Sequence, residues 1–230
     1  RKLRAATDKP FGVNLPLLYK HMPACIEVVL EEKVPIVFSS AGSPTAVAAP
    51  LQAHGRIHVH VVAAVRQAEK CQALGLDAVV CEGVEAGGHN APQGTTSFCL
   101  IPQISDAVEM PVIAAGGIAD GRGMAAALSL GAEGVQIGTR FATCAESSAH
   151  PAYKQAVLNA GDRDTVLAMN SVTPVRLIKN EFAKRALEAE SAGQTEKEMR
   201  ALLGKGRGRA AIFCGDLVEG EIEAGQIAGL

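Results

Sequence analysis

Ten residues, "CEGVEAGGHN" from Cys81 to Asn90, combine two carboxylates, a glycine pair and an imidazole directly after the apolar run "DAVV". Imidazole gives and takes protons near neutral pH, so His89 is a candidate general acid or hydrogen-bond donor. Gly87 and Gly88 would let a flat ligand lie against bare backbone. The plainer reading is a loop histidine capping a turn. Two further stretches carry the same kind of signal. "AAGGIADG" puts Ala115, Gly116 and Gly117 at the end of an apolar run, and "QIGTRF" puts Gln136, Gly138 and Thr139 at the end of another. Glycine at such a point lets a phosphate reach backbone N–H groups, and the helix that follows aims its first donors the same way. The Thr139 hydroxyl would add a donor. Either loop alone is an ordinary strand-to-helix turn; together, on adjacent strands, they read as a phosphate site.

The remaining polar groups are less specific. Asn14, in "FGVNLPLL", and Gln136 are single amides near the ends of apolar strands, placed to hold a heteroaromatic ring edge or merely to cap a loop. Ser39, Ser40 and Ser43 read as a plain turn, and Lys205, Arg207 and Arg209 as a solvated basic loop. His58 and His60 alternate on one strand face, but no third ligand accompanies them, so no metal site is expected. His21, His54 and His150 read as loop or helix-end residues. No G-x-S-x-G or Cys–His arrangement supports covalent catalysis.

The elements that must position these groups follow a rhythm. The strand-like runs "FGVNLPLL", "VPIVFSSAG", "RIHVHVVAA", "DAVVCEG", "PVIAAGG" and "GVQIGTR" alternate with amphipathic or Ala-rich segments. Alternation of this kind predicts a parallel sheet with helices packed outside it. "DAVV" and "VIAAGG" are apolar at nearly every position, as strands covered on both faces should be. A Rossmann sheet would need a G-x-G-x-x-G turn after its first strand, and there is none. The expectation is a TIM-type (β/α)₈ barrel, with the three loops sharing its C-terminal face. About six strand units are counted where eight are needed, so the first two are expected to lie upstream of Arg1, and the chain, which lacks a starting methionine, is read as a fragment. Residues 1–150 form the barrel part. Residues 151–230 read as a helical appendage.

Composition narrows the classes. The chain has 230 residues, is 48% hydrophobic and only 3% aromatic, so aliphatic side chains and alanine must fill the core. A net charge of −2 argues against a nucleic-acid footprint or a polybasic membrane patch. The six cysteines contain no C-x-x-C pair, which suits reduced thiols and a cytoplasmic setting. No run is long and apolar enough to span a bilayer, and the N-terminal stretch is not a signal peptide.

With these residues assembled, the sequence resembles the 2-nitropropane dioxygenase-like flavoprotein family, which includes nitronate monooxygenases and the FMN-containing enoyl-acyl-carrier-protein reductase II. The likeness is carried by "EGVEAGGHN", "PVIAAGGIADG", "GAEGVQIGTRF", "ESSAHPAYK", "RLIKN" and "EAGQIAGL", and runs in order from "DKPFGVN" to the last residue. It implies FMN at the C-terminal face of the barrel, with Asn14 and Gln136 on the flavin ring or ribityl chain. Gly116, Gly117, Gly138 and Thr139 become the phosphate cradle, Ala115 a further cofactor-binding residue, Gly87 and Gly88 backbone contacts under the flavin, and His89 the active-site histidine. "RLIKN" and the ending "GDLVEGEIEAGQIAGL" look closer to the enoyl reductases, which pass hydride from NADH or NADPH through FMN to an enoyl thioester. The alternative is a nitronate monooxygenase that oxidises alkyl nitronates with O₂. A more remote one, from the glycine loops alone, is a flavin-free phosphate-binding lyase or isomerase. The substrate expected is a small molecule or one bound to acyl carrier protein, and a homodimer is one assembly open to the chain.

Overall fold

A computed structural model describes residues 2–230. After a short helix α1 (Lys2–Ala6), strands and helices alternate: β1 (Gly12–Pro16), α2 (Met22–Glu31), β2 (Ile36–Ser40), α3 (Thr45–Ala53), β3 (Ile57–Val62), α4 (Val65–Ala73) and β4 (Ala78–Glu82). A two-residue strand β5 (Gly88–His89) follows, then α5 (Ser97–Ser105), β6 (Val112–Ala115), α6 (Gly121–Ser129), β7 (Gly134–Gln136) and the single turn α7 (Thr139–Ala142). All six expected strand runs form strands. They pair in parallel in the order β1-β2-β3-β4-β6-β7, and the sheet curls into a half-barrel.

The strands are apolar on both sides because both sides are covered. On the convex side, Val79 and Cys81 of β4 and Val112 and Ala114 of β6 pack against Leu100, Ile101 and Ile104 of α5. Ile101 and Ile104 are essentially excluded from solvent, which stabilises the fold by roughly 1.5–3 kcal/mol per side chain. On the concave side, Val59, Val80 and Ala115 form a second layer with Phe38, Val61 and Ile113. Register then puts polar groups on this concave face near the strand ends. Asn14 pairs with Phe38, Glu82 with Ala115, and Ala115 with Gln136.

The segment from residue 151 differs from the helical appendage expected. It contains α8 (Pro151–Leu158), α9 (Glu181–Ser191), α10 (Glu196–Leu203) and α11 (Arg207–Cys214), but also strands β8 (Thr165–Ala168) and β9 (Val175–Ile178). The β-branched runs "TVLA" and "VRLI", separated by a turn, pair antiparallel; the strongly periodic helices around them mask so short a hairpin. β9 takes β5 on its other edge, pairing Gly88 with Arg176 and His89 with Val175. The helices are solvated on one face only. Phe182, Ala183 and Ala186 of α9 are fully buried against Leu177 and Met199. Among the described residues no helix is long and apolar enough to cross a membrane.

Candidate active site

A cavity of about 270 Å³ opens at the C-terminal ends of β4, β6 and β7. Ala115, Gly116, Gly117, Gln136, Gly138 and Thr139 all line it, and so does Gly87. The loops expected to cooperate therefore meet at one place. Gly116 and Gly117 have φ of +93° and +70°, a backbone that side-chain-bearing residues rarely adopt. A Cβ on Gly116 would also stand 2.8 Å from the Gly83 carbonyl. Gly138 is different: the direction its side chain would take is open, with no atom within 4 Å. The Gly116–Gly117 loop is held at its far end by Asp120, which caps α6 by accepting from the N–H groups of Arg122 (2.9 Å) and Gly123 (3.3 Å).

The stretch from Glu82 to Asn90 is built for more than one purpose. Glu85 accepts the N–H of Ser97 at 2.9 and 3.0 Å, so its carboxylate satisfies a donor at the first turn of α5. The Ser97 hydroxyl sits within 3.0 Å of Glu85 Oε2 and 2.9 Å of the Gly116 carbonyl, joining two of the loops. Buried Asn90 locks the turn, donating to the carbonyls of Ala86 and Gly88. Gly87 is bare because another chain segment lies against it: a Cβ there would meet Ala224 C and Gly225 N at 2.5 Å. Gly88 is buried and paired in β5, not exposed to the cavity, while His89 is exposed and projects outside the cavity lining.

That other segment is the part of the site sequence reasoning missed. Residues 223–227 form a wall of the cavity. The Gly225 N–H donates to Thr139 Oγ1 at 2.9 Å, the Gln226 N–H to the Glu85 carbonyl at 2.8 Å, and the Tyr153 hydroxyl to the Glu223 carbonyl at 2.6 Å. Glu82, Tyr153 and Glu223 also line the cavity. The signal was present in "EAGQIAGL", whose glycines suit close backbone approach, but nothing in that run names its partner.

The side chains that line the cavity are acidic in balance, with carboxyl groups at Glu82, Glu85 and Glu223. Among the described residues no Lys or Arg lines the cavity, so an anion there would rest on backbone N–H groups and the Thr139 hydroxyl. Burial pushes the Glu82 carboxyl up to about 7 and raises that of Glu223 as well, which lessens their repulsion of an anion. Burial, with help from Glu85, pushes the Cys81 thiol up to about 12, leaving it an inert core group.

The other candidates lie elsewhere. Asn14 shares the concave face but sits on the opposite edge strand, exposed, with Ser40 donating to its Oδ1 at 3.3 Å. Ser39 is fully buried on the convex side, its hydroxyl 2.7 Å from both His58 Nε2 and His60 Nδ1. Ser43 accepts from Lys70 at 2.9 Å. Arg207 is held by the carbonyls of Leu202, Leu203 and Glu219 and lies 4.3 Å above the Phe182 ring, a structural role.

Comparison with known proteins adds to this geometry. The profile of the nitronate monooxygenase family matches residues 21–229. A (3aS,4S,5R,7aS)-5-hydroxy-7a-methyl-1-oxo-octahydro-1H-indene-4-carboxyl-CoA dehydrogenase of Rhodococcus jostii is 40% identical over 167 residues, covering 73% of this chain and 47% of that protein. A nitronate monooxygenase of Paraburkholderia phytofirmans is 32% identical over 277 residues, covering 100% of this chain and 76% of its own. The solved structure of FabK from Thermotoga maritima matches with a TM-score of 0.93 at 43% identity, covering 99% of this chain and 72% of that one. The chain spans about half the length of several curated relatives it matches.

Proposed function

Because the chain belongs to the nitronate monooxygenase family, we propose that it forms the FMN-binding part of an oxidoreductase that reduces enoyl thioesters at the expense of NADH or NADPH. The observation that carries this reading is the meeting of three glycine-bearing strand ends in one cavity, with open space in front of Gly138. That cradle fits a phosphate: bare backbone at Gly116, Gly117 and Gly138, a hydroxyl at Thr139 and an amide at Gln136. FMN, when bound, supplies the hydride chemistry. The protein's part is to hold the phosphate, to offer Gln136 and Asn14 to the rest of the cofactor along the concave face, and to place His89 beside the substrate. From there the imidazole delivers the proton that the α-carbon of the thioester must gain.

The likeness to FabK, at 43% identity over 99% of this chain, supports the enoyl reductase reading. A relative named for a carboxyl-CoA substrate is in keeping with a thioester, carried on coenzyme A or on acyl carrier protein. Nitronate oxidation is the second reading, favoured by the family match itself. Anaerobic mixing separates them. The enoyl reductase is bleached by NADH or NADPH and recoloured by crotonyl thioester. Bleaching by an alkyl nitronate, with no response to crotonyl thioester, would establish the second reading instead.

A further inference from the structure

The His89 side chain is exposed, so its place is set by the backbone that carries it. That backbone is β5, and a strand of two residues is marginal on its own. It leans on β9, with Gly88 paired to Arg176 and His89 to Val175. The base is firm: all four residues of β9 are buried, and all four pair with β8 on the other edge. The Asn90 N–H extends the contact by donating to the Pro174 carbonyl at 2.7 Å.

Arg176 holds the same strip at a second point. Its Nε–H donates to the Val84 carbonyl at 2.9 Å, while its own backbone pairs with Gly88. The segment from Val84 to Gly88 is thus closed at both ends on one residue of β9. That residue is only 8% exposed. Burial disfavours its charge, and the carboxylate of Glu85, next to Val84 in the chain, opposes that. An apolar side chain would serve packing alone at less cost in desolvation. What the arginine adds is a donor built into a planar head, whereas lysine carries its donors at the chain end. The run "RLIKN" begins with this residue.

We propose that Arg176 is the positioning residue for His89: by clamping Val84 while it pairs with Gly88, it fixes where the imidazole stands over the substrate. This role rests on the reading of His89 as proton donor. Arg176 itself takes no part in the proton transfer; it keeps the donor within reach of the α-carbon. Misplacing a catalytic group by about 1 Å can cost about a hundredfold in rate. Loss of the clamp should therefore slow the step that uses His89 and spare hydride transfer from NADH to the flavin, which does not.

The test uses the flavin-loaded enzyme and Arg176→Met, which keeps the bulk and removes the donor. Amide exchange at Gly88 and His89 is expected to quicken about tenfold or more. Reoxidation by crotonyl thioester should slow about ten- to a hundredfold, with reduction by NADH within about threefold of wild type. Arg176→Lys, which keeps the charge and moves the donor, should show the same split and serves if the methionine variant does not fold. The deciding measurement is the double variant. Adding Arg176→Met to His89→Ala is expected to slow reoxidation no further, because residues that act through one group are not additive. A further loss of about tenfold in the double variant overturns the proposal, and so does wild-type reoxidation in Arg176→Met. Failure of the underlying reading shows differently: wild-type half-reactions in His89→Ala remove the proton donor, and this role with it, whatever the exchange rates.

Discussion

The Gly225 N–H donates to the Thr139 hydroxyl at 2.9 Å, across 86 residues of sequence. Accepting there leaves the hydroxyl hydrogen of Thr139 free to point into the cavity. One side chain thus ties the C-terminal wall to the loop after β7 and leaves a donor for the cavity that Thr139 lines.

Thr139→Val removes both functions at nearly constant volume. Hydrogen bonds to charged groups contribute about 1.5–3 kcal/mol, so flavin affinity is expected to fall roughly ten- to a hundredfold. Thr139→Ser should stay near wild type. Flavin fluorescence titration reads both, and equal affinity in Thr139→Val would remove Thr139 from the site.

Gly138→Val is the cleaner steric test of the cradle. The valine Cβ enters open space, so the fold should be kept, with a thermal midpoint close to wild type. Flavin binding should weaken by about a hundredfold, as two charge-assisted bonds lose access. Gly117→Val is less discriminating because φ of +70° strains any side chain there. Flavin retained at full stoichiometry in Gly138→Val would contradict the phosphate assignment.

The barrel part was legible because its strands are short β-branched runs bounded by glycine and proline, and local pattern suffices for that. The glycine-bearing strand ends were legible for the same reason. The wall at residues 223–227 was not, since glycine marks bare backbone without saying whether a ligand or another stretch of chain will cover it. Gly87 shows the ambiguity: it lines the cavity and also lies against Ala224 and Gly225. Glu85 looked like a chemical group and turns out to satisfy the first turn of α5, a pairing twelve residues apart that a motif cannot show.

Gly87→Ala should therefore act through the chain before it acts through the cofactor. Its Cβ would sit 2.5 Å from backbone atoms of Ala224 and Gly225, which cannot yield as a side-chain tip can. Faster amide exchange at Gly225 and Gln226 is expected, with global stability reduced by about 1–3 kcal/mol. Unchanged exchange at both amides would show that the wall does not rest on Gly87.

Glu82 is expected to make flavin affinity pH-dependent. Its carboxyl is raised to about 7 by burial, so it is neutral below that pH and negative above it. The negative form repels an anion in the same cavity, and affinity should weaken as pH rises through about 7. Glu82→Gln should flatten that profile. An identical pH dependence in the variant would place the titration elsewhere.

The convex side predicts acid sensitivity. Burial, with a contribution from His60, lowers His58 from 6.5 to about 4, so the folded state keeps it neutral where the unfolded chain takes a proton. Its contribution to stability is full above pH 6.5 and is lost as pH falls from there towards about 4. The loss is at most about 3 kcal/mol, from 1.36 kcal/mol per pH unit. Urea midpoints at about pH 7 and pH 5 should differ accordingly, and His58→Gln should narrow the gap. Equal midpoints for the wild type would show that His58 is free to protonate in the folded protein.

The most direct test of the account is stopped-flow measurement of the two half-reactions in His89→Ala. Reduction by NADH needs no proton for the acyl carbon, whereas reoxidation by an enoyl thioester does, and general acid catalysis is typically worth 10²–10⁴-fold. The variant is expected to bind flavin normally and to be reduced within about tenfold of the wild-type rate. Its reoxidation by crotonyl thioester should be slower by about a hundredfold or more. Wild-type rates in both half-reactions would show that His89 only shapes the turn, and the assignment of this strip to proton delivery would be wrong.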